Sequence, residues 1–113
     1  MTRRPALHRW DQLELEKVTE MVARKAVVGE RHTLVQAYLK KGALVPQHVH
    51  AGEQMIYVLQ GVLRVLVDGT EVTVREGEVL QVPANVPHQA EALDDTFVLD
   101  VRATGDGAVF QRG

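Results

Sequence analysis

Three of the chain's five histidines fall in two short segments framed by glycine and proline. The first reads Gly42-x5-His48-x-His50-x3-Gln54-x6-Gly61, and the second Gly77-x5-Pro83-x4-His88. Imidazole is the commonest side-chain ligand for divalent transition metals. On a β-strand, residues two apart point to the same face, so His48 and His50 are expected to face one way. A third histidine returning after a hairpin then meets them at one ion. The chemistry this points to is metal-assisted.

The elements that must position these side chains read as all-β. From Gly42 onward, short apolar runs alternate with turn residues. Strands are expected over 55–59, 62–67, 70–74, 79–82, 88–93, 96–102 and 108–111. Asp68-Gly69 between two of them is a two-residue hairpin signal, because a type I′ turn needs positive φ at both positions. Pro83 to Pro87 reads as a rigid loop. Residues 14–41 mix helix formers with β-friendly runs. Because the other strands need partners, we read two more strands there, about 19–28 and 32–40, joined at Gly29-Glu30. That many short strands without helical crossovers make a sandwich or a barrel. Trp10 is expected to anchor an outer flap.

Composition bounds the alternatives. A chain of 113 residues, 45% hydrophobic and 25% charged, suits one globular domain, residues 1–113, with a metal-site core at about 42–102. A formal charge of −2 offers no basic patch for nucleic acid, and no segment suggests a membrane surface. The absence of cysteine excludes disulfides and thiolate metal sites. The first eight residues lack the apolar run of a secretion signal, and a soluble, cytoplasmic protein is expected.

The two histidine segments resemble the motifs of the cupin superfamily, G-x5-H-x-H-x(3,4)-E-x6-G and G-x5-P-x-G-x2-H-x3-N. The resemblance implies a double-stranded β-helix, or jelly-roll barrel, of the RmlC-like type. It also implies a divalent metal ion (Zn, Ni, Mn or Fe) held by His48, His50, Gln54 and His88. Gln54 stands where the family usually carries glutamate, Asn85 where it carries glycine, and Ala92 where it carries asparagine. The six-residue gap to Gly61 favours Gln54 over Glu53 as the fourth ligand. Three imidazoles and an amide oxygen are neutral together, so a bound dication keeps its full charge and attracts an anionic small molecule.

Within the superfamily, His48 to Gly61, Pro83 to Leu93 and Val98 to Val101 look like cupins that linearise 4,5-unsaturated uronates. That likeness implies Asp100 as the proton-transfer residue. The leading expectation is therefore a metal-dependent isomerase or ring-opening enzyme acting on a small anionic carbohydrate. An iron-dependent dioxygenase and a non-catalytic ligand-binding or sensor module are the other readings. A homodimer is expected, with the N-terminal strands free to exchange between protomers. His8, His32, Arg64, Arg75, Lys40 and Glu91 are read as solvent-facing, and Tyr38 and Tyr57 as core.

Overall fold

A computed structural model of the chain describes residues 4–105. It is all-β apart from a single 3-10 turn at Trp10–Gln12. The strands are β1 (Glu16–Lys17), β2 (Val22–Val28), β3 (His32–Leu39), β4 (Leu44–His48), β5 (Gln54–Gln60), β6 (Val62–Val67), β7 (Thr70–Arg75), β8 (Val79–Val82), β9 (His88–Ala92) and β10 (Thr96–Ala103). They form a six-stranded sheet, ordered β1-β2-β3-β10-β5-β8, and a four-stranded sheet, ordered β4-β9-β6-β7. All the pairings are antiparallel. This is the expected jelly roll. The strand expected at 108–111 lies outside the described residues.

The core follows the strand alternation. Val35, Ala37 and Leu39 of β3, Ile56 and Val58 of β5, Leu63 and Val65 of β6 and Val98 of β10 are buried between the two sheets. The same inward rows gather their amide and charged residues at one end. On β5 the row runs Gln54, Ile56, Val58, and on β10 it runs Thr96, Val98, Asp100, Arg102, every one of them buried. The barrel therefore has an apolar end and a polar end, and strand register alone decides which residues share the polar one.

Local chemistry explains the turns. Asp68 and Gly69 both take positive φ, 47° and 82°, as the type I′ hairpin between β6 and β7 requires. Asn85 sits at φ 62°, a conformation asparagine tolerates where the family motif has glycine. Trp10 is half-buried, and its carbonyl accepts a hydrogen bond from Lys25 Nζ at 2.7 Å, tying the flap to β2.

Two expectations are corrected. Tyr38 and Tyr57 are not core residues: they are 39% and 38% exposed, because the inward parity of β3 and β5 belongs to Val35, Ala37, Leu39, Ile56 and Val58. Tyr38 instead stacks on Phe97 on the outer face, with ring centroids 4.6 Å apart. Glu91 is half-buried rather than exposed, and Arg64 pairs with it. The N-terminal strands join the larger sheet, β2 on β3 and β3 on β10.

Candidate metal centre

His48 ends β4, and His50 follows it in a loop rather than on the strand. The same-face argument for an extended pair is therefore not what joins them. The β4–β9 register shifts between Val45 and His48, and the bend carries the chain over the barrel's polar end. His50 is held there through its carbonyl, which accepts from Asn85 N at 2.8 Å, linking the loop to the Pro83–Pro87 turn. His88 opens β9 directly opposite His48. The three rings lie with centroids 4.2 to 5.3 Å apart, and one ring nitrogen from each falls within 4.8 Å of the others. All three histidines are buried.

Their hydrogen bonds select the tautomers. His48 Nδ1 lies 2.8 Å from the Pro46 carbonyl, and His88 Nδ1 lies 2.9 Å from the Val86 carbonyl. A carbonyl only accepts, so each Nδ1 carries the proton and each Nε2 presents a lone pair. His48 Nε2 is buried and has no hydrogen-bond partner. His88 Nε2 lies 3.0 Å from Gln54 Oε1, an acceptor facing an acceptor. Buried lone pairs turned on one another are unfavourable without a cation between them. Two ligand atoms of one ion bound at about 2.1 Å sit about 3 Å apart. The donor set therefore fits a divalent metal, with His48, His50 and His88 as nitrogen donors and Gln54 as an oxygen donor.

Gln54 belongs to this cluster and Glu53 does not. Gln54 is 4% exposed, whereas Glu53 lies on the outside and accepts a hydrogen bond from Gln81. Gln54 Nε2 donates to Asp100 Oδ1 at 2.8 Å, and Arg102 Nη2 donates to Asp100 Oδ2 at 2.6 Å. Arg102 escapes sequence reasoning because it ends an apolar run where arginine ordinarily turns outward. The signal that finds it is parity, since it shares the inward row of Asp100. A cavity of about 50 Å³ adjoins the cluster, lined at its polar end by His48, Gln54, His88 and Asp100 and elsewhere by residues such as Ile56 and Val65. His8 and His32 are exposed and stand apart from the site, as do Arg75 and Lys40.

Burial sets the ionisation here. It pushes the His48 imidazole from 6.5 down to about 4, against the Pro46 hydrogen bond, with His88, His50 and Arg102 pushing further down. Burial lowers His88 too, opposed by the Val86 carbonyl. Burial raises Asp100, opposed by Arg102 and by the Gln54 hydrogen bond.

The metal-free protein is accordingly expected to lose stability as pH falls from about 6.5 to about 4. Over that range the unfolded chain protonates His48 and the folded chain refuses the proton. The loss attributable to His48 is about 3 kcal/mol and is complete below about pH 4. His88 adds to it, while Asp100 offsets part of it by taking up its proton first in the fold. Urea melts of chelator-treated protein across this range check the sign, and His48→Leu is expected to flatten the slope. Stability that rises steadily toward the acid end would contradict the assignment.

A profile of the cupin domain matches residues 35–102, more than half of the chain, and spans the whole histidine cluster. The chain belongs to the cupin family. Among solved structures, this cupin resembles KdgF from Halomonas sp., with a TM-score of 0.82 at 23% identity over 88% of this chain and 94% of that one. An RmlC-like cupin from Shewanella frigidimarina is similar at a TM-score of 0.83 and 24% identity, covering 93% and 96% of the two chains. At these identities the likeness establishes the fold. Among curated proteins, human 3-hydroxyanthranilate 3,4-dioxygenase is 41% identical over 58 residues. That match takes in 48% of this cupin and only 20% of the human enzyme's length.

Proposed function

We propose that this cupin is a metal-dependent enzyme acting on a small anionic carbohydrate, by ring opening or isomerisation of an unsaturated uronate or related sugar acid. The observation that carries this reading is the charge balance of the buried site. The four ligands are neutral, and Asp100 is already paired with Arg102 at 2.6 Å. A divalent ion bound there supplies Lewis acidity undiminished by a carboxylate ligand. The site then carries a net positive charge in a region screened from water, which favours a carboxylate-bearing molecule over a neutral one. The likeness of His48–Gly61, Pro83–Leu93 and Val98–Val101 to uronate-linearising cupins supports the choice of a sugar acid.

Asp100 lines the cavity and is the residue placed to carry a proton. Burial raises its carboxyl against the opposing Arg102 and Gln54 contacts, and a proton it takes up would pass to the enol-ether carbon C4. The bond between the ring oxygen and C1 opens as C5 becomes a ketone. C1 becomes an aldehyde as its hydroxyl gives up the balancing proton, so no atom is gained or lost. The apolar lining behind the site excludes water from the reacting atoms.

The test is the loss of the ultraviolet absorbance of a 4,5-unsaturated uronate, followed with metal-loaded protein, metal-free protein and buffer. Metal-loaded protein is expected to accelerate the loss by about 100-fold or more, the scale of positioned proton transfer. No acceleration by protein of confirmed metal content removes the reading.

The 41% identity to the human dioxygenase favours a second reading, an iron-dependent dioxygenase. Oxygen uptake that requires iron and is absent with zinc would establish it.

A further inference from the structure

Arg102 is a buried cation to which the proposed chemistry gives no role of its own. It is 5% exposed, lies inward on β10, and sits opposite Gln54 across the β10–β5 ladder. Asp100 stands between the two side chains. Arg102 Nη2 donates to its Oδ2 at 2.6 Å, and Gln54 Nε2 donates to its Oδ1 at 2.8 Å. Both carboxylate oxygens are therefore engaged, one by each neighbour.

This arrangement solves a problem peculiar to an amide ligand. A glutamate presents an oxygen to a metal whichever way its head group turns. A glutamine does so only when its oxygen faces the ion, because its NH₂ end donates hydrogen bonds and has no lone pair to offer. The two ends of the amide are nearly the same size, so packing alone does not choose between them. Asp100 Oδ1 accepts from the NH₂ end of Gln54 and so fixes which end of the amide turns away from the histidines. Oε1 is left facing His88 Nε2 at 3.0 Å. Arg102 Nη2 holds the other oxygen, Oδ2, and so keeps the group aimed at Gln54.

We propose that Arg102 is a positioning residue of the metal centre, acting through Asp100 to hold the Gln54 amide oxygen toward the histidine cluster. The inference rests on the metal-site reading and is independent of the substrate. Groups that orient a metal ligand change affinity by about 10- to 100-fold when removed. The direct consequence is that the effect of Arg102 passes through Gln54 and disappears when Gln54 is absent.

A double-mutant cycle on Zn²⁺ affinity, measured by competition with a chromogenic chelator, tests this. The set is wild type, Arg102→Met, Gln54→Ala and the double variant, with a thermal melt of each. Arg102→Met is expected to weaken Zn²⁺ binding about 10-fold in the wild type and less than about twofold where Gln54 is already alanine. General loosening of the barrel would give the same loss in both backgrounds. A ratio of the two losses below about threefold, or no loss in the wild type, overturns the proposal. Arg102→Lys keeps the charge and a donor, and is read by the same ratio if the methionine variant does not fold. Zn²⁺ binding by the wild type establishes the centre whatever Arg102 does, and the uronate assay fails or succeeds separately.

Discussion

Replacing His48 by alanine is expected to weaken divalent-metal binding by at least about 100-fold, beyond the range of changes that only reorient a ligand. The reason lies in the cluster's geometry. His48 Nε2 is a buried lone pair without a hydrogen-bond partner, and its ring is held by Nδ1 to the Pro46 carbonyl at 2.8 Å. Among the described residues no other histidine, cysteine or carboxylate joins the cluster, and alanine offers no donor. His88 and Gln54 would keep their 3.0 Å approach but lose the third side of the site. Elemental analysis of purified protein and chelator competition measure the effect. His32→Ala, at an exposed position away from the cluster, is the control and is expected to change nothing. Stoichiometric metal retained by His48→Ala would sink the site.

The same substitution separates binding from folding. Without its imidazole the metal-free barrel no longer has to keep His48 neutral, so its stability is expected to fall less steeply in mild acid while its metal affinity collapses. A variant that simply failed to fold would lose both.

Gly61→Ala is expected to destabilise the fold by about 3 kcal/mol or more. Gly61 turns the chain from β5 into β6 at φ 91°, where a side chain costs about 1–2 kcal/mol. A Cβ there would also lie 2.4 Å from the Asp95 carbonyl oxygen, 2.6 Å from Thr96 Oγ1 and 2.8 Å from Thr96 Cα. Two of those atoms are backbone, so the β5–β6 turn and the start of β10 would have to separate, an overpacking cost of about 1–3 kcal/mol. Thr96 Oγ1 is itself engaged there, accepting from Val62 N at 3.2 Å and donating to the Asp94 carbonyl at 2.8 Å. Gly69→Ala is the comparison. Gly69 also has positive φ, 82°, but nothing lies within 4 Å of its Cβ position, so only the backbone cost of about 1–2 kcal/mol applies. Urea midpoints measure the difference, and equal losses at the two glycines would refute the steric account.

The Gly61 contact also matters for the site. It lies where β10 begins beside β5, next to the register shift between Phe97 and Val98. From there the ladder places Asp100 opposite Ile56 and Arg102 opposite Gln54. A slip of one residue would turn Asp100 and Arg102 outward, since strand side chains alternate faces. A substitution that shifted this register is therefore expected to disturb the histidine cluster at the far end of the strand.

Much of the centre was legible in the chain. The spacing of His48, His50 and His88 within their glycine and proline frames marked the three residues that the fold brings together. The six-residue interval to Gly61 pointed to Gln54 rather than Glu53, and the structure buries the first and exposes the second. The Asp68-Gly69 hairpin and the strands of the second half were also readable, because turn chemistry and alternation act over a few residues. The inward row of β10 was half-read, with Asp100 singled out and Arg102 passed over.

Local sequence, then, determined the turns, the strand alternation and the three histidines that the fold gathers, since each depends on near neighbours. Tertiary structure alone decided that His50 leaves the strand and yet stays in the cluster. It also decided that Tyr38 and Tyr57 face outward, and that Arg102, Asp100 and Gln54 form one chain of hydrogen bonds. Those outcomes depend on the register between strands far apart in sequence, with Arg102 meeting Gln54 across 48 positions (102 − 54). That register is set by burial and backbone pairing over the whole barrel, which no short window of sequence contains.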